Sequence, residues 1–419
     1  MKILSFSYCF PNHLNTTWGV FVSQRLTAVA RHAELRVVSP VPDFPVIGRL
    51  RGFPGPTIDT WQALTVYRPR YLCVPSLFKS LDGRFYARSL RSWLDKLCVE
   101  WKPHVLDAHF VWPDGVGVSL LARRLGLPYA VTLRGKIYPC LEITSQRRQC
   151  AEALRGAAVV ISVDSKMAQI ARELGVSAER IHVIPNGVDL DHFHLHDKLD
   201  ARRQLGLPEE GPLLLTVAHL GPRKGHRETI QALARTTSGA RLVLVGEDGR
   251  GGRNVKALRE LARSLDVENR LLVLGRQPYS RLPLYFSAAD ASILASWREG
   301  CPNVVLESLA SGTPVIASDV GHAAALVDSQ CAGRIVPPRQ VEPLARAIDE
   351  LLDQPSLPED VRNCPAVRSW DAVATDVCAA LRGTMKPALA MNQHTDDATT
   401  KRPHRIGHKP PPARNLTCK

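Results

Sequence analysis

Two carboxylates, Glu299 and Glu307, flank a loop-to-helix transition within residues 297 to 317. The stretch reads as an apolar strand at 291 to 294, a loop at Gly300, a helix whose first turn takes Pro302, a stop at Gly312 and a further strand after Pro314. The unpaired N–H groups of such a helix start, near Asn303 and Val304, face the same space as the carboxylates, and a helix N-terminus attracts anions. A second cluster, Arg223 and Lys224, sits between Gly221 and Gly225 at another strand-to-helix crossing. Arginine offers a bidentate fork and lysine a point charge, so the pair reads as a phosphate clamp, with a solvated turn as the plainer alternative. Carboxylates, cations and free amides together suit a ligand that carries both hydroxyls and phosphates.

Two further candidates, His109 and Arg134, close the apolar runs 105 to 108 and 129 to 133. Open α/β sheets place their ligands at the carboxyl ends of parallel strands, which raises both residues above ordinary strand ends. For His109 a hydrogen-bonded structural histidine stays open as the alternative.

The elements that must position these groups alternate strand and helix. Residues 2 to 7, 35 to 38, 105 to 108, 129 to 133, 158 to 163 and 181 to 184 read as strands in the first half. Residues 213 to 218, 242 to 245, 271 to 274 and 291 to 294 do so in the second, each followed by helical sequence. Two doubly wound α/β halves result, without the G-x-G-x-x-G dinucleotide fingerprint. The stretch from 43 to 75 reads as irregular and proline-rich, and Asp114 is placed to cap the helix that follows it. A helix over 83 to 101 puts Arg84, Arg88 and Arg91 on one face and turns Phe85, Leu90, Trp93, Leu94 and Leu97 inward. Such a helix fits either a membrane interface or an ordinary domain surface.

Length and charge set the outer bounds. The 419 residues, 45% of them hydrophobic, call for two cores of roughly 150 to 200 residues each. The net charge of +14 is uneven: residues 1 to 190 hold 24 Lys and Arg against 14 Asp and Glu, whereas residues 191 to 385 hold 23 against 24. The first half therefore suits an anionic partner, or is simply a soluble basic surface. Ten scattered cysteines without a C-x-x-C pair fit neither a zinc site nor a disulfide framework and point to a reducing compartment. The N-terminus lacks a signal-peptide core, and no run approaches the roughly 20 apolar residues of a membrane span. The string Asp189-Leu190-Asp191, followed by His192, His194 and His196, matches a metal-binding pattern by letter, but so short a string recurs by chance.

Several separated motifs together resemble the retaining glycosyltransferases of the GT-B fold, family 4, also described as glycosyl transferases group 1. They are Pro185-Asn186-Gly187-Val188-Asp189, the Arg223-Lys224-Gly225 loop, Gly246-Glu247-Asp248-Gly249, and Glu299 with Glu307 as that family's E-x7-E signature. The resemblance runs from residue 1 to about residue 381. It implies an α/β fold of two Rossmann-like doubly wound domains facing across a cleft: residues 1 to 190 for the acceptor and 191 to 368 for a nucleotide-sugar. A helix at 369 to 385 is expected to pack back on the first domain, and 386 to 419 to form a disordered basic tail.

By the same resemblance, Arg223 and Lys224 hold the donor diphosphate, Glu299 contacts the donor sugar, Glu307 takes the ribose hydroxyls, and Gly300 and the amides of Asn303 and Val304 assist. Catalytic roles fall to His109, Glu299 and Lys224, and the acceptor side to Trp18, Gly19, His109 and Arg134. Neither a metal nor a cofactor is expected. The expected reaction transfers a hexose, with retention, from a UDP- or GDP-sugar to a saccharide or lipid-linked acceptor in surface polysaccharide or lipopolysaccharide assembly. The expected setting is the cytoplasm, with peripheral contact to the inner membrane through the basic first domain. The chain departs from the family pattern at His219, at Thr132-Leu133-Arg134-Gly135, and at Gly321-His322 with Ala325. Rival readings are an epimerase or phosphorylase of the same fold and, more distantly, a basic nucleic-acid-binding protein. Against the last, the sequence carries no recognition-helix or RNA-binding signature, and no nucleic-acid partner is expected.

Overall fold

The computed structural model describes residues 1–43, 57–74, 78–249 and 251–384. Its first sheet contains β1 (Lys2–Phe6), β2 (Glu34–Val38), β4 (Ile58–Trp61), β5 (Leu64–Tyr67), β7 (Val105–His109), β8 (Tyr129–Leu133), β9 (Val159–Ser162) and β10 (Ile181–Val183). A separate parallel pair is formed by β3 (Val41–Asp43) and β6 (Arg70–Leu72). The spatial order of the large sheet is β10-β9-β8-β7-β1-β2-β5-β4, parallel throughout except for β4 against β5. The second sheet is wholly parallel, in the order β13-β12-β11-β14-β15-β16. Its strands are β11 (Leu213–Val217), β12 (Arg241–Val245), β13 (Leu271–Gly275), β14 (Ala291–Leu294), β15 (Val315–Ser318) and β16 (Gly333–Val336).

Parallel strands covered by helices on both faces bury every residue, which is why β8 and β14 read as largely apolar runs, while β7 encloses Asp107 and His109 as well. On one face of the first sheet, Leu106 and Ala108 pack with the Asp82–Trp101 and Val116–Leu125 helices. On the other, Val105 packs under the Val20–Val29 helix and the Trp370–Gly383 helix, which lie against each other. Side chains alternate along a strand, so Asp107 and His109 share the face of Val105 and lie beneath those two helices.

Three expectations are corrected. The stretch from 43 to 75 is not irregular where it is described: it contributes β4 to β6, and Leu64 and Val66 are buried while Thr65 between them is exposed. Asp114 caps nothing. It is buried within the Val111–Gly115 turn, and its carboxylate accepts the Tyr8 N–H at 3.1 Å. On the Asp82–Trp101 helix Leu90, Leu94 and Leu97 turn inward, Trp93 packs on the core and Arg84, Arg88 and Arg91 are exposed, as expected, but Phe85 is only half-buried and the buried aromatics are Tyr86 and Trp101. The expected tail from 386 lies outside the described residues.

Candidate active site

Two loops of the second domain bring the predicted charges together. The loop after β11 turns at Gly225, with φ of 70°, where a Cβ would stand 1.9 Å from the Ala295 carbonyl oxygen; a side chain there would push the two loops apart. The approach is fixed by the Trp297 N–H, which donates to the Arg223 carbonyl at 2.9 Å, and by the Trp297 indole, which donates to Glu228 at 2.9 Å. Lys224 Nζ consequently lies 2.6 Å from Glu299 Oε1. The Arg223 side chain, by contrast, is exposed.

Pro302, in extended conformation, precedes the Asn303–Ala310 helix, which has no side-chain cap. Asn303 and Glu307 are one turn apart and line the same cleft as Lys224. Burial pushes the Glu307 carboxyl up to about 7. Gly246, after β12, reaches the cleft because it has no side chain: a Cβ would meet the Ala218 carbonyl oxygen at 1.8 Å. The cleft, of about 1370 Å³, is closed from the first domain by Thr16, Thr17, Val20, Phe21 and Gln24 on and just before the Val20–Val29 helix.

The domains touch directly around this cleft. Gln24 donates to the Tyr279 hydroxyl at 3.0 Å, and Lys166 pairs with Asp319 at 3.2 Å. The Arg298 guanidinium lies 4.6 Å from the Tyr138 ring centroid. Gly300 and Gly135 meet backbone to backbone, with Gly300 accepting from the His322 N–H at 2.8 Å. Val304 is half-buried and packs on the second core. A polar chain also crosses the interface: Arg134 Nη1 donates to Asn186 at 3.0 Å, and the Asn186 amide donates to Asn303 at 2.7 Å.

His109 and Arg134 are not among the residues lining the cleft. His109 is fully enclosed, with Nε2 3.0 Å from Asp107 Oδ2, which also accepts from the Ser5 hydroxyl at 2.9 Å. Burial alone would raise the Asp107 carboxyl, but His109, Arg25 and Ser5 outweigh it and bring it to about 2. Burial lowers His109 to about 4 against the pull of Asp107, so the ring is neutral and its Nε2–H donates to the carboxylate. Trp18 is partly exposed and meets Tyr8 edge-on. Gly19 starts the Val20–Val29 helix at φ of 76°, where a Cβ would collide with the Cys9 carbonyl.

The sequence reading missed Asp107, Arg25, Gln24 and Tyr279. Only Asp107 had a local signal, its alternation with His109 on one strand face. In the Asp189 to His196 segment, Asp189 accepts the N–H groups of Asp191 and His192 as a turn does, while His192 bonds the Tyr279 carbonyl and stacks on its ring. Among the described residues no group of three or more His, Cys, Asp or Glu side chains is gathered to hold a metal ion.

Two Rossmann-like domains closing on such a cleft define a GT-B fold. Residues 197–364 match the family described as glycosyl transferases group 1, and residues 27–192 match Glycosyltransferase Family 4. The chain belongs to this family and is a glycosyltransferase. A D-inositol 3-phosphate glycosyltransferase of Frankia alni is 30% identical over 306 residues, covering 68% of this chain and 75% of the relative. A Bacillus subtilis glycosyltransferase named for teichuronic acid biosynthesis is 27% identical, covering 83% of this chain and 88% of the relative. Among solved structures, Anabaena HepE in complex with UDP superposes with a TM-score of 0.73 at 20% identity, over 91% of this chain and 100% of that one.

Proposed function

We propose that this glycosyltransferase moves a hexose, with retention, from a nucleotide diphosphate sugar to a saccharide or lipid-linked acceptor. The observation that carries the donor assignment is the shared cleft of Lys224, Asn303 and Glu307, where a cation, a helix start and a carboxylate face one space. Glu307 accepts the ribose hydroxyls, the first amides of the Asn303–Ala310 helix and Lys224 hold the diphosphate, and Glu299 orients the sugar through its contact with Lys224. Trp18, Gly19, His109 and Arg134 belong to the acceptor side, Gly19 through the start of the Val20–Val29 helix. Charge on the leaving diphosphate is neutralised by these groups without a metal.

UDP is the first donor base to try, because the Anabaena neighbour was solved with UDP. An acceptor in surface polysaccharide assembly fits the name of the Bacillus relative, and the exposed Arg84, Arg88 and Arg91 fit work beside an anionic membrane surface. The test is a thermal-shift screen against UDP, GDP and ADP and their hexose conjugates, followed by donor consumption with and without acceptor. Acceptor-dependent consumption with an unchanged anomeric configuration in the product is expected. Consumption that needs no acceptor replaces transfer by epimerisation, and consumption that needs inorganic phosphate replaces it by phosphorolysis.

A further inference from the structure

Of the motif Arg223-Lys224 only the lysine lines the cleft, beside Arg276 of the second domain and Arg31 of the first. Lys224 is already 2.6 Å from a carboxylate, and Arg223 is exposed and not part of the cleft wall. A further guanidinium lies behind the wall on the first-domain side. Arg134 closes β8 with 4% of its surface exposed, and it is tied through Asn186 to Asn303, the first residue of the helix that faces the cleft. Its guanidinium lies 4.8 Å from the ring centroid of Phe21, which is itself part of the cleft wall.

What sets Arg134 apart is what it lacks. Its Nε and Nη2 find no acceptor among the described residues, and its one acceptor, Asn186, is neutral. Arg25 nearby is 1% exposed and likewise has Nε and Nη2 without acceptors. Asp107, the one carboxylate whose charge reaches both guanidiniums, gives its Oδ2 to Ser5 and His109. Burial, and then Arg25, lower Arg134 to about 9, as befits a cation without a counter-charge. Leaving a guanidinium buried with idle N–H groups is costly, and a bound anion removes that cost.

We propose that Arg134, which stands behind the cleft wall formed by Phe21 and Asn303, is an anion-binding residue at the domain interface, and that its free N–H groups take phosphate oxygens of a substrate bound in the cleft. The fork geometry suits a phosphate, and the Asn186–Asn303 link sets that fork against the helix start. The phosphate belongs either to the donor diphosphate or to an anionic group on the acceptor. The inference rests on the donor-site reading above, and Lys224→Met serves as its separate control.

Calorimetric titration of the full chain with UDP, GDP and ADP and with inorganic phosphate, and of the nucleotide-bound protein with glucose and glucose 6-phosphate, compares wild type, Arg134→Met, Arg134→Lys and Lys224→Met. Nucleoside diphosphate binding weakened at least tenfold in Arg134→Met and partly restored in Arg134→Lys assigns the residue to the donor. Unchanged nucleotide affinity, with loss of a preference for glucose 6-phosphate over glucose in the nucleotide-bound protein, assigns it to an anionic acceptor. Loss of Lys224→Met binding with Arg134→Met within twofold of wild type for every probe overturns the inference and leaves the donor reading standing. A wild type that binds none of the nucleotides overturns the donor reading, and phosphate binding that is equal in wild type and Arg134→Met then overturns this one as well. Circular dichroism confirms folding of each variant, and Arg134→Lys carries the comparison if the methionine variant does not fold.

Discussion

Lys224 Nζ and Glu299 Oε1 stand 2.6 Å apart, each on a different loop of the second domain, with side-chain exposures of 30% and 15%. The pair makes opposite predictions for binding and turnover. Removing Lys224 takes a charged donor from the diphosphate, an interaction worth about 1.5–3 kcal/mol, so Lys224→Ala is expected to weaken nucleotide binding roughly 10- to 150-fold. Removing Glu299 frees the ammonium, so Glu299→Gln is expected to bind nucleoside diphosphate at least as tightly as wild type while transfer is lost. Calorimetry with steady-state rates checks both, and near-normal turnover in the two variants would sink the site assignment.

Asp107 is expected to act through His109. An ionised Asp107 fixes the ring with its proton on Nε2 and leaves Nδ1, which has no partner among the described residues, as an acceptor. Asp107→Asn removes that charge and is expected to lower kcat by about tenfold or more, the loss of one hydrogen bond to a charged group. The ¹⁵N shifts of the imidazole report the tautomer independently of turnover, and an unaltered tautomer in Asp107→Asn refutes the role.

These two pairs mark how far the sequence was legible. Largely apolar runs disclosed β1, β7, β8 and β14, because strands covered on both faces need no regular polar alternation. Lys224, Glu299 and Glu307 stood out because loop glycines and a helix start surround them locally. The strands β4 to β6 escaped because they are short and set among prolines. Arg223 looked equal to Lys224 along the chain, and only the Trp297 N–H on the Arg223 carbonyl shows how that loop is held while the guanidinium stays exposed. Arg25, Asp107 and the Arg134–Asn186–Asn303 chain depend on which elements pack face to face, information that no local window contains.

Donor affinity is expected to fall in mild acid. The Glu307 carboxyl, raised from 4.5 to about 7 by burial, must be ionised to accept two ribose hydroxyls. Affinity should therefore be full above about pH 7 and decline as pH drops through that value, with a proton released on binding. Glu307→Gln should bind more weakly and without this pH dependence. Titrations in two buffers of different ionisation enthalpy measure the proton directly, and a wild-type affinity that is level between pH 5 and pH 8 rules the role out.

Asp114 is expected to make the protein less stable in base. Its carboxyl is raised from 3.8 to about 8 by burial, with the Tyr8 N–H as a partial counterweight. A group whose folded value is raised holds its proton in the native state after the unfolded chain has lost it. Its contribution is complete below about pH 4 and is lost as pH rises toward 8, by up to about 1.4 kcal/mol per pH unit. Asparagine matches the protonated acid in shape and cannot ionise. Asp114→Asn should thus melt near wild type at pH 5 and clearly above it at pH 9. Parallel Tm curves for the two proteins across that range would show that Asp114 is ionised in the fold.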